Sequence, residues 1–298
     1  MFGGIRDIKE ALAAPVLVAR LLAASRRPAD PELAEEETVV YGPGPRQRVL
    51  VFHPGPRAPL RPGPIVAFLH GGGWSMGSPE LFRFIGRFFA ARGFSAFLPG
   101  FRLAPRHKYP AQLADVKAGL AAGMAAVLGR RDPAATESSR PRLALIGQSA
   151  GAQLAVIAAA EAARARGGAE QGASPEGLPA VDGLALLSGV LNFSLCQNHL
   201  VQHLIWQYVA AADWDTADPV RRAPEVASLP VLCIHGSADP LVEPENSLSF
   251  AAAVNACRPG QARVVLAEGM QHADFSLFLS WRPETDVLLN WLEDLAAR

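Results

Sequence analysis

Apolar residues along this chain fall into short unbroken runs, separated by stretches in which they recur every three or four positions. Ile65–His70 (IVAFLH), Ser95–Pro99, Leu143–Ile146, Leu184–Leu187, Val231–His235 and Val264–Leu266 are such runs. Ile65–His70 and Leu143–Ile146 read as strands covered on both faces, as in a parallel sheet, and the other runs as further strands. Two further strands are expected at Thr38–Tyr41 and Arg48–His53, separated by the turn signal GPGP. Between the runs the period lengthens to that of a helix. Leu81–Arg92 places Phe82, Ile85, Phe88 and Phe89 on one side, and Ala111–Leu128, Ala150 to about Arg166, Pro244–Ala256 and Thr285–Ala297 follow the same rule. Pro54–Pro64 and Gly167–Pro179 read as loops. Strands alternating with helices predict an α/β fold, with a mostly parallel central sheet of about eight strands and helices on both faces.

Two segments depart from that alternation. Leu191–Glu225 is too long for a plain connection, and Leu200, Leu204 and Tyr208 have helical spacing, so a small lid over the sheet's edge is expected at about 191–225. At the other extreme, Ala11–Ser25 is an apolar run of fifteen broken by Pro15 and Arg20. A bilayer-spanning helix needs about 20 such residues. Arg6 and Lys9 are cancelled by Asp7 and Glu10, so the basic start of a secretory leader is missing. Ile5, Ile8, Leu12, Val16, Leu21 and Leu22 form an apolar stripe, which predicts a helix packed on the body of the protein rather than a membrane contact. Residues 1–36 are therefore expected to be an N-terminal helical segment that joins the lid, and 37–298 the main domain.

Composition narrows the classes. Half the residues are apolar and 19% are charged, which suits a chain with a large core. Lys plus Arg equals Asp plus Glu, 28 each, with no basic stripe, so no nucleic-acid partner is expected. Cys196, Cys233 and Cys257 are far apart and form no metal-binding spacing. They read as free thiols in a reducing, cytoplasmic setting.

The chemistry-bearing residues all follow predicted strands. Gly147-Gln148-Ser149-Ala150-Gly151 joins the strand Leu143–Ile146 to a helix. A sharp strand-to-helix turn of this kind needs small neighbours and lifts a serine hydroxyl clear of the backbone. His70-Gly71-Gly72-Gly73-Trp74 follows the strand Ile65–Leu69, and consecutive glycines leave backbone N–H groups free to converge on a developing oxyanion. A phosphate cradle would want a helix and a Lys-Ser/Thr pair directly after the glycines, and Trp74-Ser75-Met76 supplies neither. Asp239 lies after Val231–Ile234, with Glu243 as the substitute acid. His272 lies after Val264–Leu266. The order Ser149, Asp239, His272 is that of a nucleophile, an orienting acid and a general base delivered from successive strand ends. Two of the three N–H groups of Gly71, Gly72 and Gly73, with that of Ala150, are expected to supply the oxyanion hole. His70 is expected to brace the glycine turn and Arg102 to tie neighbouring loops. Trp74, His199 and His203 are expected to line the substrate pocket. His199 and His203 are spaced like a metal pair but have no third ligand, so neither a metal nor another cofactor is expected.

HGGGW, FRLAP with YPAQLADV, GQSAGAQLA, HGSADPLV and GMQHADF together resemble the hormone-sensitive-lipase-like branch of the α/β-hydrolases, over roughly Thr38 to the C-terminus. GQSAGA, LLSGVLNF, HLVQH and HADF look most like prenylcysteine methylesterases and small carboxylesterases. The resemblance implies cofactor-free hydrolysis of small to medium apolar esters through an acyl-enzyme. It assigns Ser149, Asp239 and His272 to the triad and Gly72, Gly73 and Ala150 to the oxyanion hole. One departure is Gly100-Phe101, where that branch often carries Asp-Tyr, which bears on the hydrogen bonding around Arg102. HGGGW also fits the pattern of arylformamidases, which cleave N-formylkynurenine with the same machinery. A non-catalytic binding protein on this fold is the reading from another class, and it would ordinarily lack the nucleophile or the base.

Overall fold

Eight strands form one sheet in the order β1-β2-β4-β3-β5-β6-β7-β8. They are Ala34–Val40 (β1), Arg48–Pro54 (β2), Ile65–Leu69 (β3), Ala96–Pro99 (β4), Leu143–Gln148 (β5), Gly183–Leu187 (β6), Val231–Gly236 (β7) and Ala262–Ala267 (β8). The computed structural model describes residues 18–59, 63–130, 140–167, 178–277 and 283–297. β1 and β2 pair antiparallel, as do β2 and β4, and the remaining neighbours are parallel. The helices are 18–26 (α1), Arg83–Ala90 (α2), Ala111–Gly129 (α3), Ala150–Gly167 (α4), His199–Tyr208 (α5), Trp214–Ala217 (α6), Ala223–Val226 (α7), Glu245–Cys257 (α8) and Pro283–Ala297 (α9).

The period of two within each strand sorts the core into two layers. Val49, Val51, Ile65, Ala67, Leu143, Leu145, Leu184 and Leu186 pack with Val116 and Leu120 of α3, Leu154 and Ile157 of α4, and Phe250 and Val254 of α8. Their alternates Leu50, Phe52, Val66, Phe68, Ala144 and Ile146 pack with Ile85 and Phe89 of α2 and with Leu288, Leu292 and Leu295 of α9. Burying one such Leu or Phe contributes about 1.5–3 kcal/mol, so the unbroken apolar runs specify a sheet covered on both sides. α3 is long and apolar enough to cross a membrane by composition. It packs instead against β2 and β4, with Leu113, Val116, Leu120 and Val127 buried.

The strand order reverses direction at β3. The chain leaves β3 towards β4 on one side, then returns to β5 on the other. Loops following β3 and β5 therefore diverge and leave a crevice at the carboxyl ends of the strands, where α/β sheets place their ligands. Register sharpens this: Leu69 pairs with Gly147, Gln148 with Leu187, and Gly236 with Ala267. The glycine turn, the Ser149 turn and the loops bearing Asp239 and His272 thus emerge along one edge.

Two expectations shift, and a third lies mostly outside the described residues. β1 starts at Ala34, not Thr38, so the sheet begins before the expected boundary at 36/37. Glu35, Glu36 and Glu37 read as connector because the strand is an edge strand, where exposed charge discourages pairing with another chain. On the lid helix α5 the buried face is Val201, Ile205 and Tyr208, whereas Leu200 is exposed and Leu204 half-buried. Leu200, Val201, Leu204, Ile205 and Tyr208 form one broad apolar face opposite His199, Gln202, His203 and Gln207, and tertiary packing selects which stripe of it is buried. Finally, most of the predicted N-terminal stripe lies outside the described residues. Of its members Leu21 is buried, in the same apolar layer as α2 and α9. Ser25 Oγ donates to Leu81 O at 2.6 Å, and Arg87 donates to the carbonyls of Ser25 and Arg27. The loops expected at Pro54–Pro64 and Gly167–Pro179 lie partly outside the described residues.

Candidate active site

β5 ends at Gln148, and Ser149 turns the chain into α4 with φ of +54°. A left-handed backbone at a non-glycine residue is strained and is typically kept where function uses it. Here it is held by the Ser149 N–H, which donates to Leu187 O at 2.9 Å. The flanking glycines leave no room for alternatives. A Cβ on Gly151 would sit 2.1 Å from Leu69 O, and one on Gly147 would sit 2.4 Å from Gly151 O.

The structure brings Ser149, His272 and Asp239 together. His272 Nδ1 lies 2.7 Å from Asp239 Oδ2, and His272 Nε2 lies 2.9 Å from Ser149 Oγ. An ionised carboxylate only accepts, so the imidazole carries its proton on Nδ1, and Nε2 accepts from the serine hydroxyl. All three residues are buried. Burial alone would raise the Asp239 carboxyl; its electrostatic attraction to His272 and hydrogen bonds from His235 and His272 overcome it and hold the group well below the usual carboxylate range. Oδ1 of Asp239 accepts from the N–H groups of Leu241 and Val242, both at 3.0 Å. Glu243 faces elsewhere, with its carboxylate 3.3 Å from Gln197 N.

His235 supports the acid from below. It is fully buried, with Nδ1 at 2.7 Å from Ser247 Oγ and Nε2 at 2.9 Å from Val242 O. The carbonyl requires Nε2 to carry the hydrogen, which also faces Asp239 Oδ2 at 3.4 Å. Sequence reading passed over this residue, although it opens the HGSADP motif.

The glycine turn runs through three consecutive left-handed residues: Gly72 (φ +120°), Gly73 (φ +55°) and Trp74 (φ +57°). Ser75 and Met76 fold back onto Gly72 O. Among the described residues none accepts a hydrogen bond from the N–H of Gly72, Gly73 or Ala150. His70 braces the turn: its Nδ1 donates to Gly71 O at 2.7 Å, and its ring stacks on Phe101 at 4.4 Å. Burial pushes His70 down to about 4, so it is neutral and its buried Nε2 is left without a partner. Arg102 is held by Asp115 despite the Gly100-Phe101 departure, because that carboxylate accepts from its backbone N–H, Nε and Nη2, each at 2.8 Å.

The residues expected to line a pocket are placed differently. Trp74 is fully buried, stacked on Tyr208 at 4.5 Å, with its Nε1 donating to Gln153 Oε1 at 2.9 Å. It therefore seals the turn against the lid rather than presenting its ring to an open pocket. His199 and His203 are exposed on α5, and the His203 ring meets Gln207 at 2.7 Å. No group of three or more potential metal ligands occurs among the described residues. Cys196 and Cys233 are buried and Cys257 is exposed. Burial pushes the first two thiols up to about 12, which leaves them inert.

The insertion is pinned by buried polar side chains. Asn246 Oδ1 accepts from Leu191 N and Asn192 N, and Asp218 Oδ1 accepts from Phe193 N. Asn198 caps α5 by accepting from Leu200 N and Val201 N. The half-buried Leu204 reaches the glycine turn, where its Cδ1 lies 2.6 Å from where a Cβ on Gly73 would be.

Sheet order, strand-to-helix turn and site geometry define an α/β-hydrolase. The chain belongs to that family: its model, described as the alpha/beta hydrolase fold, matches residues 66–276. Among curated proteins the chain is similar to a probable isoprenylcysteine alpha-carbonyl methylesterase of Oryza sativa subsp. japonica, 27% identical over 253 residues, covering 80% of this chain and 58% of that one. It is also similar to Esterase LipC of Mycobacterium tuberculosis, 27% identical over 249 residues, covering 78% and 58%. The chain thus spans less than two thirds of these relatives' length. In fold it matches the structure of Esterase B from Lactobacillus rhamnosis, with a TM-score of 0.71, 20% identity, and 98% and 96% of the two chains covered. A hyperthermophilic esterase from Pyrobaculum calidifontis gives a TM-score of 0.68 at 21% identity, with 98% and 93% covered.

Proposed function

We propose that this protein is a serine carboxylesterase acting on small to medium apolar esters through an acyl-enzyme. The observation that carries the reading is the continuous chain Ser149 Oγ, His272 and Asp239 at 2.9 and 2.7 Å, set beside three backbone N–H groups that meet no acceptor among the described residues. Ser149 Oγ attacks the ester carbonyl while His272 Nε2 takes its proton. The oxyanion that forms is met by the N–H groups of Gly72, Gly73 and Ala150. Electrostatic stabilisation of this kind is commonly worth about 3–4 kcal/mol per donor. Collapse expels the alcohol, which leaves with the proton from His272. Water then attacks the acyl-serine and gives a proton to His272, the acid departs, and Ser149 regains its hydrogen. Asp239 holds the imidazole in the required tautomer throughout. The names of the similar proteins, esterases and methylesterases, support this reaction class.

A fluorophosphonate probe tests the nucleophile, with mass spectrometry to locate the adduct. Wild type should be labelled on Ser149 and should hydrolyse p-nitrophenyl esters. A chain-length series of these esters, run beside a prenylcysteine methyl ester and N-formylkynurenine, assigns the substrate class. Turnover of N-formylkynurenine well above every ester would replace this reading with the formamidase one.

A further inference from the structure

We propose that Gln153 is the positioning residue of the oxyanion turn: one buried amide joins the helix that carries Ser149 to the turn that carries Gly72 and Gly73. The inference rests on the esterase reading and concerns the same site. Gln153 sits one helical turn beyond Ser149 on α4, is fully buried, and is the polar side chain in the otherwise apolar stretch Ala150–Ala160. Its Oε1 accepts from Trp74 Nε1 at 2.9 Å and from Tyr208 Oη at 3.2 Å, and its Nε2 donates to Ala217 O at 2.8 Å. All three partners lie elsewhere in sequence: in the glycine turn, at the end of α5, and in the lid.

The geometry gives this amide a task beyond filling space. The oxyanion hole has two halves, the Ala150 N–H on α4 and the Gly72 and Gly73 N–H groups on the turn. The β3–β5 ladder pairs the two segments only as far as Leu69 and Gly147, and ends before Gly72 and Ala150. Trp74 is the residue through which the turn is held, because its own backbone is left-handed without being glycine. Such a conformation persists only where the surroundings over-determine it. Trp74 is restrained in four ways: its carbonyl accepts from Ala104 N at 2.9 Å, its ring stacks on Tyr208, it meets Phe193 edge to face, and its indole N–H reaches Gln153. Only the last ties the turn directly to α4. Without it the indole N–H is buried and unpaired, and the turn gains a reason to relax away from the serine. A shift well under 1 Å spoils donors that must meet the oxyanion at about 2.7–3.1 Å.

The test uses Gln153→Met, which keeps the volume and removes both polar ends, and Trp74→Phe, which keeps a stacking ring and removes the donor. Readouts are kcat and KM for p-nitrophenyl acetate, and inhibition by an alkyl trifluoromethyl ketone, whose serine adduct carries an oxyanion. In Gln153→Met, kcat should fall about 10- to 100-fold with KM nearly unchanged, less than a deleted oxyanion donor costs. Ketone affinity should fall in parallel. Trp74→Phe should act in the same direction, and the double variant should be no worse than the poorer single one, since the Trp74–Gln153 bond is lost in both. Gln153→Glu, which keeps the acceptor, should recover most of kcat. If Gln153→Met does not fold, Trp74→Phe and Gln153→Glu carry the test. Folded variants with kcat within threefold of wild type, or with the change confined to KM, overturn the proposal. So do single effects that multiply in the double variant. A wild type that neither hydrolyses esters nor binds the ketone instead removes the esterase reading on which the inference rests.

Discussion

Leu204 occupies the space that a side chain at Gly73 would need: its Cδ1 lies 2.6 Å from the position of a Cβ there. The lid helix therefore rests directly on the glycine turn, and a half-buried Leu, not a histidine, makes that contact. Truncating it should enlarge the space above Ser149 without touching the reacting atoms. Leu204→Ala is expected to shift preference towards longer acyl chains, with kcat/KM for hexanoyl over acetyl esters rising about tenfold, the range one or two added methylenes command. The p-nitrophenyl ester series measures this. An unchanged ratio would show that α5 does not bound the acyl site.

Ser149→Ala and His272→Ala should each lower ester turnover by several orders of magnitude while leaving the fold intact, because members of such a chain act as a unit. Asp239→Asn should cost on the order of 10⁴, since it loses the acceptor that sets the tautomer. Glu243→Gln should be mild, because that carboxylate touches Gln197 rather than His272. The decisive comparison is between the last two. If Glu243→Gln is the more damaging, the acid has been misassigned.

The central strands were legible because burial on both faces leaves unbroken apolar runs, while the edge strand β8 showed itself by the short run Val264–Leu266 although Leu266 is exposed, and the sheet they predict is the one found. The Ser149 turn, the glycine turn and the loops of Asp239 and His272 were legible because each follows such a run. β1 was less so: an edge strand carrying Glu35, Glu36 and Glu37 has the composition of a connector. The roles of Trp74 and Gln153 were not legible either. An aromatic residue after three glycines reads equally as pocket lining or as anchor, and only the position of Tyr208, far along the chain, decides. Gln153 did leave a signal, as a lone amide in the run AGAQLAVIAAA. A buried polar residue in an apolar helix must have a partner, but the sequence does not say which.

His70 makes stability depend on pH. Burial lowers it to about 4 in the folded protein, against an ordinary value near 6.5. The unfolded chain therefore binds the proton first as pH falls, and the folded state loses stability between about pH 6.5 and 4. The loss attributable to this residue approaches about 3 kcal/mol at the acid end. Urea unfolding of wild type and His70→Gln across that window should show the difference between them changing with a slope of about one proton, with the variant flatter. Parallel curves would mean that His70 is not buried as a neutral ring.

The N-terminal segment is attached where it can act on both stability and access. Leu21 is buried in the layer of α2 and α9, and Ser25 Oγ bonds to Leu81 O. Leu81 follows Gly77 by four positions, and the Gly77 carbonyl is itself held by Arg46 Nη1 at 2.7 Å. The anchor thus lies on the stretch leading out of the glycine turn. Arg87 adds a second attachment through the carbonyls of Ser25 and Arg27 and the carboxylate of Glu36. Removing residues 1–30 should uncover the apolar surface around α2, and burial of one Leu alone is worth about 2 kcal/mol. A lower Tm and a tendency to aggregate are therefore expected. If this segment also roofs the site together with 191–225, KM should rise more for long-chain or prenyl esters than for acetate. A membrane-anchoring role predicts the opposite pattern, in which the shortened protein stays soluble and fully active but no longer binds liposomes. Leu21→Ala separates the two contributions, because it weakens the seat without removing the segment. A fall in Tm with chain-length preference intact would make the segment a structural strap, whereas a change in both would place it over the acyl chain.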